Sequence, residues 1–251
     1  MISPLTQLSS FGETMNAVVI GASGGIGSSM TSHLASMENV RRIVALSRTP
    51  IQETGKISSH HIDLQNAESI DAAAQFAKTA LQDIHLVIVA SGLLHDQAMQ
   101  PEKAMRQING DNFARAMAVN AIGPALVIKH FTPLMPRTGK TVLAVVSARV
   151  GSISDNYLGG WYAYRASKAA VNQIIRTGSI EIARKNCDAV LVALHPGTTD
   201  TNLSKPFQGG VAQERLFSPT YSAECLLRVI ERITASMSGK LISWDGSVLP
   251  Y

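Results

Sequence analysis

Cysteine is nearly absent from this chain: of 251 residues only two are thiols, Cys187 and Cys225. Their spacing fits neither a disulfide framework nor a thiolate metal site, and both fall in segments that read as packed structure, so they are expected as reduced core residues. Long hydrophobic runs are also missing. Stretches such as Ala17 to Ile20, Leu86 to Ala90 and Val142 to Val146 are too short to span a bilayer. Charged residues make up 16% against 45% hydrophobic, the balance of a soluble globular chain. The net charge of +4 is scattered with no basic block, which argues against a nucleic-acid partner and fits an anionic small molecule. His60, His61, His95, His130 and His195 share no ligand spacing, so no metal site is expected. No linker rich in Pro, Ser or charge divides the chain, and no cationic start or small-residue cleavage pattern opens it. The expectation is one cytoplasmic domain over residues 15–251, preceded by a loose extension over 1–14.

What is present is a rhythm. Apolar runs at Asn16 to Ile20, Arg41 to Leu46, Lys56 to Ile62, Ile84 to Ala90, Thr141 to Ser147, Ala189 to Leu194 and Lys240 to Ser243 alternate with segments of helical spacing such as Ile26 to Met37. Strands that are continuously apolar have both faces covered, which predicts an α/β, doubly wound, seven-stranded parallel sheet of Rossmann type. In such a fold ligands bind outside the carboxyl ends of the strands. Two helices, Phe113 to Leu134 and Tyr164 to Ala183, are apolar on more than one face, from burial either in a large core or between subunits. A homodimer or homotetramer through them is expected.

The first strand runs into Gly21-Ala22-Ser23-Gly24-Gly25-Ile26-Gly27, and a helix follows. Glycine is needed where backbone turns with positive φ or lies against a phosphate, and a helix start offers free N–H groups and a positive dipole, so this turn reads as a diphosphate cradle. Strand two ends in Ser47-Arg48, with no acid to hold ribose hydroxyls. A guanidinium there pairs with a 2′-phosphate, which favours NADPH over NADH. Asp63, before Leu64, either meets the adenine edge or caps the helix near Asn66.

Tyr164 and Lys168 stand four residues apart at a helix start, so a phenol and an ammonium share one face. Such a pair can move a proton, the cation lowering the cost of the phenolate. Tyr162 has no lysine four residues on and is expected to pack or to line the site mouth.

With the glycine turn, Asn120 in Val119-Asn120-Ala121-Ile122-Gly123, Tyr164 and Lys168, and Pro196-Gly197-Thr198-Thr199-Asp200-Thr201 in this order, the chain resembles the short-chain dehydrogenase/reductase family from about Asn16 onward. Gly159 to Arg165 and the ending Trp244-Asp245-Gly246 look most like its C-factor and sniffer-like carbonyl reductase branch. The resemblance implies an NADPH-dependent oxidoreductase that reduces a small-molecule carbonyl or oxidises an alcohol. Tyr164 would be its general acid/base, Lys168 the residue that lowers the phenol pKa and holds the nicotinamide ribose, and Asn120 the holder of a relay water. Cofactor contacts are implied at Gly21, Ser23, Gly25, Ile26 and Gly27, at Arg48, Asp63 and Leu64, and at Ala90, Ser91 and Gly92. The nicotinamide end falls to Pro196, Gly197, Thr198 and Thr201, beside Tyr164 and Lys168.

Two departures stand out. Val89-Ala90-Ser91-Gly92 replaces the family's Asn-Ala-Gly element, which removes a bracing amide. Ser147-Ala148-Arg149 puts Ala148 where the family's substrate-binding serine is expected. Ser147 then either takes that catalytic role or is a strand-end hydroxyl with a structural bond. A missing oxyanion donor costs about 3 kcal/mol. A second reading is therefore an NADP(H)-binding signalling or regulatory protein with vestigial catalysis. The segment Asn202 to Tyr221 reads as a mobile, loop-like lid over the pocket.

Overall fold

The computed structural model describes residues 5–49 and 51–251. All seven anticipated strands form: β1 Met15–Ile20, β2 Val40–Ser47, β3 Ile57–His61, β4 Leu86–Val89, β5 Thr141–Val146, β6 Ala189–His195 and β9 Leu241–Ser243. They lie parallel in the order β3-β2-β1-β4-β5-β6-β9, and a two-residue strand β10, Val248–Leu249, adds an antiparallel edge beside β9. Two further short strands, β7 Thr198–Thr199 and β8 Leu216–Phe217, pair with each other outside the main sheet.

Alternate residues of β1 divide the core between two layers. Ala17 and Val19 join Met30 and Leu34 of helix α1 (Gly25–Ser36) and Leu226 and Ile230 of α6 (Pro219–Arg232). Val18 and Ile20 join Ile70 and Ala73 of α2 (Ala67–Ala80), Val127 and Phe131 of α4 (Gly123–Phe131), and Val171 and Ile175 of α5 (Tyr162–Ala183). Both faces of β4 and β5 are buried throughout, which is why these strands read as unbroken apolar runs. The sheet order reverses between β1 and β4, and a cleft opens at their carboxyl ends.

Several expectations need correction. Residues 5–14 are no loose extension: Leu8 is fully buried, Phe11 is 8% exposed, and Leu8 N–H donates to Asn39 Oδ1 at 3.1 Å while Asn39 Nδ2 donates back to Leu8 O at 2.9 Å. The cysteines are free but not core residues, Cys187 being exposed and Cys225 half-buried. The first of the two apolar helices is α3 (Gly110–Met117), a five-residue π turn at Ala118–Ile122, then α4 and a final 3-10 turn at Thr132–Leu134. Its side chains, like those of α5, split between the two readings: Val127, Phe131, Val171 and Ile175 are buried, while Ile122 and Ile180 are about half exposed. No helix among the described residues is long and apolar enough to cross a membrane.

Candidate active site

The glycine turn forms as its residues require. Gly21 adopts φ +83°, its N–H and that of Ala22 donate to Leu46 O, and Gly24 N–H returns to Gly21 O. A Cβ on Gly27 would lie 2.2 Å from Gly21 O, so only glycine lets α1 start against the turn. The α1 start at Gly24 has no side-chain cap. Its N–H groups near Gly25 and Ile26 therefore face a cleft of about 650 Å³ that Ser23 also lines.

The far end of the cleft is bounded by Arg48, Asp63 and Leu64. Arg48 is exposed, and Ser47 Oγ beside it donates to Thr49 O. Asp63 does not cap α2. Asn66 does, accepting from the N–H groups of Glu68 and Ser69 at 2.9 and 3.1 Å, while Asp63 Oδ1 takes Gln65 N–H at 3.0 Å. Leu64 is buried against Gly123, where a Cβ would come within 2.7 Å of its own.

Ala90, Ser91 and Gly92 form the cleft floor. The bracing amide that the sequence lacks here is supplied from another element. Asn120 Oδ1 accepts Leu93 N–H and its Nδ2 donates to Leu93 O, each at 2.8 Å, and Nδ2 also donates to Ser167 Oγ at 3.0 Å. Both amide protons are spent on protein, so the side chain acts as a brace between β4, the π turn and α5. Pro124 has no N–H to give the main-chain carbonyl of Asn120 four residues earlier, and the helix widens there into the π turn.

Tyr164 and Lys168 sit side by side on the first turns of α5, 7% and 3% exposed, with Lys168 Nζ 5.6 Å from the Tyr164 ring centre. Lys168 Nζ donates to Val146 O at 2.9 Å, and Gly151 allows the close approach, since a Cβ there would meet Lys168 Cβ at 2.8 Å. Burial dominates both groups, pushing the Tyr164 phenol above its ordinary range and Lys168 down to about 8.

Ser147 is 2% exposed, and its Oγ donates to Asn172 Oδ1 at 2.8 Å. A hydroxyl has one proton to give, and this one is given to α5 two turns beyond Tyr164. Of the two roles open to Ser147, this bond is the structural one, although the residue also lines the cleft. Ala148 lines the cleft with extended backbone (φ −153°, ψ 152°), its side chain on the opposite face and without a donor.

At the remaining end, Pro196, Gly197, Thr198 and Thr201 line the cleft. Gly197, at φ +76°, is pressed against Phe217, whose ring carbon would lie 2.6 Å from a Cβ. Thr201 Cγ2 lies 2.8 Å from where a Gly25 Cβ would stand, so this segment touches the glycine turn. The segment beyond it is not a structureless loop. It carries 3-10 turns at Lys205–Phe207 and Gln213–Arg215, β8 pairs with β7, and Pro219 to Tyr221 already belong to α6. His95 Nε2 donates to Asn202 O and Leu203 O at 3.1 Å, and its ring meets Phe207 edge-on at 5.4 Å.

Three residues of the site carried no signal that spacing exposes. Trp161 stands in the left-handed region (φ 53°, ψ 44°) at the N-cap of α5, edge-on to Tyr164 at 6.2 Å and Phe207 at 5.0 Å. Glu102 is buried beneath it. His195 lines the cleft, and its Nδ1 accepts Arg149 N–H at 3.4 Å. Burial first, and then the Arg149 guanidinium, hold His195 down at about 4, so it is neutral at physiological pH.

These features give a cleft that runs from the glycine turn to a buried Tyr164 and Lys168 pair, and the family model described as short chain dehydrogenase matches residues 15–210. The chain belongs to that family of oxidoreductases. A 1-hydroxy-2-glutathionyl-2-methyl-3-butene dehydrogenase of Rhodococcus sp. (strain AD45) is 27% identical over 235 residues, 93% of this chain and 98% of the relative. The C-signal protein of Myxococcus xanthus is 32% identical over 148 residues, covering 59% of this chain and 84% of its own length. In fold the chain is similar to an NADPH-bound carbonyl reductase from chicken fatty liver, with a TM-score of 0.83 at 23% identity and 99% of each chain covered.

Proposed function

We propose that this protein is an NADPH-dependent reductase of a carbonyl compound, with Tyr164 as the proton donor. The carrying observation is the placement of the buried Tyr164 and Lys168 pair at the end of the cleft that begins at the uncapped α1. The residues present fit a dinucleotide. The uncapped N–H groups at Gly25 and Ile26 suit a diphosphate, Gly21 and Gly27 let the turn and the start of α1 pack closely beside it, and the exposed Arg48 suits a 2′-phosphate. When bound, NADPH supplies the hydride.

The chain's own work is the proton. Burial keeps the Tyr164 phenol protonated at neutral pH, the state a donor to a carbonyl oxygen requires. The reverse reaction, alcohol oxidation, needs the phenolate and is favoured at alkaline pH. Lys168, easily neutralised in its buried position, passes protons toward the π turn, where the Asn120 main-chain carbonyl, deprived of its usual donor by Pro124, is suited to hold a water. Purified protein with Tyr164→Phe is expected to keep NADPH binding and lose carbonyl turnover; full turnover in that variant refutes the assignment.

One observation favours a second reading, a cofactor-binding signalling protein with vestigial catalysis: Ala148 has no hydroxyl and that of Ser147 is occupied. It predicts NADPH binding with no turnover across a broad carbonyl panel. The half-exposed Ile122 and Ile180 support a homodimer or homotetramer through the helical stretches 113–134 and 164–183, tested by light scattering of Ile180→Glu. The free, exposed thiol of Cys187 supports a cytoplasmic location.

A further inference from the structure

Three consecutive residues before α5 adopt left-handed backbone: Gly159 (φ 66°), Gly160 (φ 65°) and Trp161 (φ 53°). The third carries a bulky side chain, and such a conformation persists only where its surroundings hold it. The holder is Glu102. Its main-chain oxygen accepts Trp161 N–H at 2.5 Å, and its carboxylate Oε2 accepts Ala163 N–H at 3.2 Å, so one residue grips the backbone on both sides of the Trp161–Tyr162 link. No side chain of α5 itself caps this helix, so Glu102 takes the place of the missing N-cap from 61 residues away.

Glu102 is only 4% exposed, and its second oxygen, Oε1, is buried without a donor. A buried carboxylate oxygen left unpaired is unfavourable and calls for an explanation. Packing alone does not call for a polar side chain here, whereas gripping α5 calls for an acceptor at the Ala163 N–H. The platform beneath is firm on both sides. Asp96 pairs with Arg115 and its N–H donates to Met99 O, while Gln107 Oε1 accepts from the N–H groups of Lys103 and Ala104 at 2.7 and 3.1 Å. Arg165 closes the turn from the other side, its Nε donating to Gly160 O at 3.0 Å.

The geometry points to Glu102 as a positioning residue: by fixing the left-handed entry into α5 it sets the angle of Trp161 and, two residues past Tyr162, the direction of the Tyr164 phenol toward the substrate carbonyl. This rests on the reductase reading. A proton donor held about 1 Å from its productive place loses roughly 100-fold in rate, so small shifts at the start of α5 are felt at the oxygen.

The test compares Glu102→Ala, Glu102→Gln and wild type. NADPH affinity is read from nicotinamide fluorescence, turnover from NADPH oxidation with a panel of aromatic and aliphatic aldehydes and ketones, and Trp161 from acrylamide quenching in a Trp244→Phe background, which leaves Trp161 as the single indole of the two. Glu102→Ala is expected to raise Trp161 quenching and to lower kcat roughly 100-fold while NADPH affinity stays within about threefold. Glu102→Gln keeps an acceptor for Ala163 N–H and is expected to restore both. The proposal is overturned if Glu102→Ala leaves quenching and kcat unchanged. It is equally overturned if kcat and NADPH affinity fall together and the glutamine variant rescues neither. Should the alanine variant fail to fold, Glu102→Asp, too short to reach Ala163, carries the same comparison. A wild type that turns over no carbonyl refutes the reductase reading alone, and the quenching series then decides the role of Glu102.

Discussion

Ser147 and Ala148 give opposite predictions that one pair of variants separates. Ser147→Ala removes a 2.8 Å hydrogen bond between two groups each 2% exposed and leaves Asn172 Oδ1 without its donor. A buried acceptor stripped of its partner costs about 1–3 kcal/mol, so the unfolding midpoint in urea should fall by a corresponding amount. Carbonyl turnover should hold within about threefold, because the hydroxyl proton is already given to Asn172. Ala148→Ser does the reverse. It adds a hydroxyl at a half-buried residue that lines the cleft and leaves the Asn172 contact intact. One added oxyanion donor is worth about 3 kcal/mol when well aimed, so kcat/KM for an aldehyde or ketone should rise by up to ~100-fold. The assay is NADPH oxidation by purified variants, with urea unfolding run in parallel. The reasoning is refuted if Ser147→Ala abolishes turnover while its stability is unchanged, since Ser147 would then be the substrate donor after all.

Arg48→Glu should weaken NADPH binding and improve NADH relative to it by roughly 10–100-fold, the worth of one charge-assisted contact, and an unchanged ratio of the two dissociation constants removes Arg48 from the site. Leu8→Ala, at a fully buried position, should cost about 2–5 kcal/mol of unfolding free energy, and a chain begun at Met15, lacking both Leu8 and Phe11, should lose more; equal stability of the shortened chain contradicts the packing of residues 5–14. Lys168 has a folded-state pKa of about 8, below its unfolded value of 10.5, so from pH 8 upward the unfolded chain holds more protons than the folded one and stability rises with pH. Between pH 8 and 9.5 that gain is about 1–2 kcal/mol, and Lys168→Met should remove it while the share from Lys140, displaced in the same direction, remains. The raised Tyr164 acts with the opposite sign, but only as pH passes 10.

The strands were legible because burial on both faces of a parallel sheet forces unbroken apolar runs, and the glycine turn because positive φ and close approach admit no other residue. Tyr164 and Lys168 were legible because a helix brings neighbours four apart together. What escaped the sequence depends on partners far along the chain. The bond from Ser147 to Asn172 spans 25 positions, that from Leu93 to Asn120 spans 27, and the grip of Glu102 on Ala163 spans 61. None of these has a local spacing to betray it. Leu8 and Phe11 were missed for the same reason: two apolar residues in a short segment show no period, yet they fill a groove against α6 and Asn39. Pro124 was visible four residues after Asn120, and its missing N–H could have marked the helix as irregular there.

The two ends of the sheet bear on how copies of this chain can meet. A bare edge strand offers unpaired N–H and C=O groups to any neighbour and is where sheet proteins aggregate. Here one edge is closed by β10, two residues running against the rest of the sheet, which leaves little ladder to extend. The other, β3, carries Ser58, Ser59, His60 and His61 in sequence, with His60 stacked on Phe76 at 4.4 Å and its start folded back on Thr54. Neither edge offers a long apolar strand. Growth of the sheet from molecule to molecule is thereby disfavoured at both of its ends.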